Sequence, residues 1–218
     1  MEEELYTAPE FSLVFDYKVA QIMSTQYANP APLGLMGFGM TTVLLNIHNA
    51  GFFPIDSMIL AMGIFYGGLS QVIVGIMCFK RGDTFGTTAF TSYGLFWLTL
   101  VGLIVLPKMG FASSPPSFMG CYLMLWGIFT GFMFIGSLRY PFAKQVVFGS
   151  LTVLFMLLAV RDFTGNETIG VIAGFEGIFC GACAIYFAMA QVLNAEYGRT
   201  ILPIGQPRVR DFNSAATA

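Results

Sequence analysis

Charged residues are scarce in this sequence. Of its 218 residues, 10% are charged and 56% are hydrophobic, and the mean hydropathy is +0.73. A soluble domain carries about 25% charged residues. So few charges cannot cover a surface that faces water, which excludes an ordinary soluble domain and indicates a membrane protein surrounded by lipid. The net charge of -2 gives no basis for nucleic-acid binding.

Cysteine and histidine are also few, with four cysteines and one histidine. Cys180 and Cys183 have the spacing of a redox or metal motif, but they lie in an apolar run with no histidine nearby. We interpret them as small packing residues. The sequence therefore predicts no disulfide, no metal site and no cofactor.

Long apolar runs are abundant, and each is close to the roughly 20 residues that cross a bilayer as a helix. Six such runs cover residues 30–53, 55–79, 85–107, 117–138, 142–161 and 168–195. The fold class predicted is an all-α integral membrane protein with six transmembrane helices. We divide the chain into a tail (1–28) with an amphipathic surface helix over 11–23, a six-helix transmembrane domain (29–205) and a second tail (206–218).

Basic residues predict the orientation of these helices, because cytoplasmic loops are enriched in Lys and Arg. One side of the membrane carries only Lys108 and Arg161. The other side carries eight: Lys18, Lys80, Arg81, Arg139, Lys144, Arg199, Arg208 and Arg210. Both termini are therefore expected in the cytoplasm, with the helices spanning the inner membrane.

A five-residue string recurs in the even-numbered helices. It reads G-I-F-Y-G from Gly63, G-I-F-T-G from Gly127 and G-I-F-C-G from Gly177. Each copy is a G-x-x-x-G pattern, which allows membrane helices to approach closely. The recurrence predicts three pseudo-repeated hairpins around a central pathway.

The odd-numbered helices share one bulky residue beside small hydroxyl residues. Phe38 stands near Thr41 and Thr42, Tyr93 follows Ser92, and Leu151 precedes Thr152. At about 1.5 Å per residue the three bulky residues fall at similar depth. We interpret the odd helices as lining the pathway. Alternatively, the hydroxyls bond only to carbonyls of their own helices.

Asn29 and two prolines open the first helix. We expect Asn29 to be the N-cap, with Pro30 and Pro32 in the first turn, where a missing N–H group costs nothing. A rigid structural start is favoured over direct contact with a ligand, although Asn29 stays a candidate for substrate binding.

The stretch N-P-A-P-L-G-L from Asn29 resembles the signature of the acetate uptake transporter family, the succinate–acetate permeases. The resemblance continues through T-T-V-L-L-N-I-H-N, A-M-G-I-F-Y-G-G and Y-G-R-T-I-L-P-I-G and covers nearly all of residues 29–205. It implies a six-helix protomer, a homohexamer with one pathway in each subunit, and proton-linked transport of acetate and succinate. The hydrophobic constriction of the family corresponds to Phe38, Tyr93 and Leu151.

Substrate binding is expected to use neutral donors, since no Lys or Arg is predicted in the membrane core, where a permanent ion pair would hold a carboxylate too tightly. The candidates that can donate hydrogen bonds to a carboxylate are Asn29, Thr41, Thr42, Ser92 and Thr152.

Two titratable residues are candidates for proton coupling. Glu176 precedes the third G-I-F-x-G, and a carboxylate at that depth is costly and often functional; a neutral glutamate bonded to a neighbouring helix is an equal alternative. For His48, near the outer end of the first helix, a satisfied interfacial histidine is favoured over a proton carrier.

Two other functions compete with carboxylate transport. One is a channel for small neutral solutes such as urea or ammonia. The other is an intramembrane hydrolase, for which Ser70 and His48 are the only conceivable pair; the chain lacks a G-x-S-x-G elbow. We therefore predict that this protein has no catalytic residues and is not an enzyme.

Overall fold

The computed structural model describes residues 27–205, and within that range the chain forms helices and loops with no strand. We label the helices α1 (Ala31–Asn49), α2 (Ser57–Lys80), α3 (Thr84–Met109), α4 (Pro116–Ser137), α5 (Phe142–Thr164) and α6 (Glu167–Glu196). The prediction of an all-α protein is confirmed. The amphipathic helix expected over 11–23 and the tail from 206 lie outside the described residues.

Five of the helices, α2 to α6, are long and apolar enough to cross a membrane. Helix α1 is not among these five; it has 19 residues and contains Thr41, Thr42, Asn46 and His48. It is nevertheless a central element, packed against α6 and α2, and Thr41 and Asn46 are fully buried. The buried polar residues Thr41 and Asn46 therefore face other helices.

The glycines of the recurring motif pack each even-numbered helix against an odd-numbered helix. The first motif glycine of each even helix lies against an odd helix: Gly63 against Val101 of α3, Gly127 against Phe155 of α5, and Gly177 against Asn46 of α1. The most closely packed pairs are accordingly α2 with α3, α4 with α5, and α6 with α1. The first and last helices, α1 and α6, thus form one of the three tight pairs although they are far apart in sequence.

Helix α2 departs from regular α-helical geometry where it carries the motif. The segment Met62–Leu69 is a π-helix, and the Ser70 N–H bonds to the Phe65 carbonyl. Such segments are rare and often lie at functional sites. The Met62 carbonyl, at the first residue of this segment, lies 3.5 Å from the Thr41 hydroxyl of α1.

Helix boundaries differ from the predicted runs mainly at α1, which ends at Asn49 rather than at residue 53. The chain turns there through Gly51, whose φ of 89° is left-handed and suits glycine. Asp83 caps α3 by accepting from the Gly86 N–H at 2.8 Å. These turns leave Asn29, Arg81, Phe142 and Gly205 at one end of the bundle, which we call the terminal face.

Candidate functional site

A cavity of about 250 Å³ opens at the terminal face and runs into the bundle. Its walls come from α1, α3, α5 and α6, with Gln71 contributed by α2. The deepest lining residues on α1, α3 and α5 are Phe38, Tyr93 and Leu151, so the cavity stops where these three side chains lie. We call these three residues the closed end.

The closed end is buried and mostly apolar. Phe38, Tyr93 and Leu151 are 6%, 4% and 3% exposed, respectively. The ring centroids of Phe38 and Tyr93 lie 6.2 Å apart, and the two ring planes are tilted by 46° to each other. The structure therefore brings together the three residues that calculated depth had grouped, at the end of one cavity. Their role as a constriction stays a prediction.

A hydrogen bond holds the ring of Tyr93 in place. Its hydroxyl donates to Thr130 Oγ1 of α4 at 3.0 Å, and the Thr130 hydroxyl in turn donates to the Trp126 carbonyl at 2.7 Å. Sequence reasoning missed Thr130. The sequence did contain a signal for it. Thr130 is a polar residue at the variable position x of the second G-I-F-x-G, where the first and third copies have Tyr66 and Cys180.

Two of the candidate substrate-binding hydroxyls bond to their own helices. Thr41 donates to the Gly37 carbonyl at 2.7 Å, and Thr152 donates to the Phe148 carbonyl at 2.8 Å. Neither threonine lines the cavity. Their geometry matches the alternative that the sequence left open, in which the hydroxyl bonds back to the helix that carries it.

The other candidates lie in different surroundings. Thr42 is 2% exposed, and its hydroxyl has no hydrogen-bond partner within residues 27–205. Ser92 is half-buried. Neither residue lines the cavity. Asn29 does line it, and its amide donates to Gln191 Oε1 of α6 at 2.9 Å. Asn29 is thus the one candidate at the cavity wall.

The N-cap assignment of Asn29 is wrong by one residue. Pro30 holds the N-cap position, and α1 begins at Ala31. The Asn29 side chain still accepts a hydrogen bond from the Ala31 N–H at 3.1 Å, so it satisfies a free backbone donor from just outside the helix. Asn29 therefore connects the start of α1 to α6.

Lys144 lines the same cavity, and sequence reasoning used it only for orientation. Its ammonium lies 3.8 Å from the ring centroid of Phe85 and 3.3 Å from that of Tyr140. Cation–π contacts of this kind contribute about 0.5–1 kcal/mol at exposed sites. Burial, followed by the nearby Asp83 carboxylate, raises the pKa of Tyr140.

Glu176 and His48 both lie away from the cavity wall. The Glu176 side chain is partly buried, and its Oε2 atom is enclosed without a hydrogen-bond partner in the described part of the chain. His48 Nδ1 lies 2.8 Å from the Phe53 carbonyl, so the imidazole donates to the loop that follows α1. This contact fits the satisfied interfacial histidine, whereas the role of Glu176 stays open.

Ser70 and His48 do not form a catalytic pair. Ser70 donates to the Tyr66 carbonyl of its own helix and packs against Gly37 of α1. His48 lies on α1 about 16 Å further along the helix axis from Gly37. A nucleophile and its base must be within hydrogen-bond reach, and the hydrolase hypothesis fails on this separation.

Comparison with known proteins gives the same architecture. The succinate-acetate/proton symporter SatP of Escherichia coli strain K12 is 59% identical over 184 residues, covering 84% of this chain and 98% of that protein. A solved structure of the bacterial acetate channel SatP superposes with a TM-score of 0.82 at 58% identity, covering 83% of this chain and all of that one.

A more distant relative has a different substrate in its name. The ammonia transport outward protein 2 of Saccharomyces cerevisiae is 35% identical over 176 residues, covering 77% of this chain and 62% of that protein. Residues 11–206 match the GPR1/FUN34/yaaH family. On its sequence and on its fold, the chain belongs to the GPR1/FUN34/yaaH family.

Proposed function

We propose that this protein moves acetate and other small carboxylates, succinate included, across the membrane through the cavity that ends at Phe38, Tyr93 and Leu151, linked to proton movement. The observation that carries the proposal is this closed cavity in a fold that matches an acetate channel at a TM-score of 0.82. The near full-length identity of 59% to a succinate-acetate/proton symporter supports the substrate class.

The closed end would select by desolvation. A carboxylate that passes Phe38, Tyr93 and Leu151 loses water that apolar side chains cannot replace. The barrier therefore grows with substrate size and hydration. No Lys or Arg of the described residues stands at this depth, so a carboxylate that passes would not be held in a permanent ion pair.

The proposal includes six membrane spans and a pseudo-threefold arrangement. Helix α1 would be the sixth span, because its buried polar residues Thr41 and Asn46 face α2 and α6 rather than lipid. The pairing of α2 with α3, α4 with α5 and α6 with α1 supports three related units around the cavity. The exposed apolar rings of Phe65, Phe132 and Phe179 would face lipid or neighbouring protomers of a homohexamer.

The terminal face would lie in the cytoplasm, with the helices in the inner membrane. Lys80, Arg81, Arg139, Lys144 and Arg199 lie at this face, while Lys108 and Arg161 lie at the opposite one. Labelling of a cysteine introduced at the C-terminus tests this orientation. A reagent that cannot cross membranes should label the C-terminus in inverted vesicles, and labelling of intact cells would contradict the proposal.

Proton linkage and substrate class are tested in proteoliposomes that contain the full-length protein. Labelled acetate uptake should exceed that of protein-free liposomes, and an inwardly directed proton gradient should increase it further. Saturable uptake without any response to the gradient would indicate a channel for the anion. No protein-dependent uptake would contradict the proposed function.

Transport of a small neutral solute is the second candidate, and the yeast ammonia relative favours it. The same proteoliposomes decide between the two. Under the acetate proposal an excess of succinate competes with labelled acetate, whereas ammonium and urea do not. Competition by urea or ammonium alone would move the assignment to the second candidate.

A further inference from the structure

One cation, the ammonium of Lys144, stands in the cavity wall where a carboxylate would enter from the terminal face. Lys144 and Leu151 are two turns apart on α5 and line the same cavity, so the lysine precedes the closed end by about 10 Å along the helix. Its position near the start of α5 is unfavourable for the helix itself, because the N-terminal end of a helix dipole is already positive.

Aromatic rings hold this ammonium without neutralising its charge. Phe85 and Tyr140 present their faces to Nζ at 3.8 Å and 3.3 Å from the ring centroids. Within residues 27–205 no carboxylate lies within ion-pair distance of Lys144. An ammonium has three donors, and those not directed at the two ring faces stay available to an anion in the cavity.

The nearest opposite charge on the cavity wall is already engaged elsewhere. Asp83 lines the cavity, but its carboxylate caps α3 and accepts from the Gly86 N–H. The positive end of the α3 dipole offsets part of its charge. The wall therefore keeps a net attraction for an anion at Lys144.

We propose that Lys144, positioned by Phe85 and Tyr140, binds the carboxylate group of the substrate at the outer part of the cavity, and so favours carboxylate anions over neutral molecules of the same shape before they reach the closed end. The inference rests on the proposed function and adds to it a binding residue and a basis for charge selection. Asn29 and Gln191, joined across the wall, offer neutral polar atoms beside this site.

The test compares acetate with acetamide, its neutral counterpart of similar shape, in membrane vesicles that expose the terminal face. Lys144→Gln should raise the half-saturating acetate concentration about tenfold, because a charge-assisted hydrogen bond is lost, and should leave acetamide permeation unchanged. Lys144→Arg keeps the charge and should stay within about threefold of the parent protein. Lys80→Gln, an exposed lysine at the same face, is the matched control and should have no effect.

Three results would overturn the inference. The first is an unchanged half-saturating acetate concentration in Lys144→Gln. The second is an equal change in the transport of acetate and of acetamide in Lys144→Gln. The third is an equal loss of acetate transport in Lys144→Gln and Lys144→Arg. Either of these two results would indicate a structural role for Lys144. If the parent protein moves no acetate, the proposed function fails, and calorimetric titration of acetate into the detergent-solubilised proteins still decides whether Lys144 binds the anion.

Discussion

Two regions of the bundle use the same sequence motif in different ways. In the α1–α6 seam, which we define by Gly39 and Gly181, two backbones meet. A Cβ added at Gly181 would lie 2.7 Å from the Gly39 carbonyl oxygen. In the aromatic wall, which we define by Phe96, Trp126 and Phe155 of α3, α4 and α5, rings fill the space between the helices.

Gly131 stands on the aromatic-wall side at the motif position that corresponds to Gly181. A Cβ added there would meet only the Thr152 methyl group, at 3.9 Å. The second motif glycine is thus required by close backbone approach in α6 and not in α4. Two copies of the motif that differ only at Thr130 and Cys180 therefore carry different packing constraints, and the seam is the more tightly restrained of the two regions.

The largest effect is expected from Leu151→Ala at the closed end. Removing a buried leucine side chain costs about 2–5 kcal/mol of stability, and the wider opening should raise uptake of lactate relative to acetate. Leu154→Ala is the matched control, since Leu154 is buried on the same helix but does not line the cavity. It should lower stability without changing the ratio of lactate to acetate uptake.

The comparison of Leu151→Ala with Leu154→Ala separates a role of Leu151 in substrate selection from a role in packing. An unchanged lactate-to-acetate ratio in well-assembled Leu151→Ala protein, and also in Phe38→Ala, would place the selective part of the pathway outside the closed end.

The next largest effect is expected on stability, from a substitution in the α1–α6 seam. Gly181→Ala should destabilise the protein by about 1–3 kcal/mol, because the added methyl group forces two backbones apart. Gly131→Ala should be neutral or slightly stabilising, since alanine favours helix more than glycine does. Thermal unfolding in detergent measures both. Equal losses from the two substitutions would remove the distinction between the seam and the aromatic wall.

A smaller effect, confined to the pH profile, is expected from Glu176→Gln beside the seam. If Glu176 takes part in proton coupling, this variant should assemble normally while its acetate uptake varies less with pH. Glu167→Gln, at the exposed start of α6, serves as the control and should keep the parent profile. A parent-like profile in Glu176→Gln would assign Glu176 a structural role.

The smallest effect is expected from Tyr93→Phe at the edge of the aromatic wall. This substitution removes the bond to Thr130 and keeps the ring, so stability should fall by about 0.5–1.5 kcal/mol. The Thr130 hydroxyl retains its bond to the Trp126 carbonyl. A double-mutant cycle with Thr130→Val measures the coupling, and additive losses would show that the two hydroxyls act independently.

Much of the fold could be predicted from local patterns. Apolar runs near bilayer length predicted helices that the structure contains, and residue depth grouped Phe38, Tyr93 and Leu151 before their contacts were known. Both inferences depend on the fixed rise of a helix, which converts sequence position into depth. They fail where the chain turns, as at Gly51, since a left-handed turn leaves little trace in a periodic pattern.

The polar part of the candidate site was less predictable. Thr41 and Thr152 were selected as donors, yet both bond to their own helices, while Lys144 reaches the cavity wall through the rings of Phe85 and Tyr140. A hydroxyl has a carbonyl of its own helix within reach at every turn. Which polar group stays available to a substrate therefore depends on neighbouring helices, which the local sequence does not specify.

The sequence alone determined the class of protein, the helices and the approximate depth of each residue, because these follow from hydrophobic length and helical rise. Only the tertiary structure decided that α6 packs against α1, that Gly181 rather than Gly131 is closely packed, and that Lys144 joins the cavity wall. The physical reason is that helix rotation and pairing are set by side-chain packing between segments distant in sequence, since lipid offers no preference for one apolar face over another.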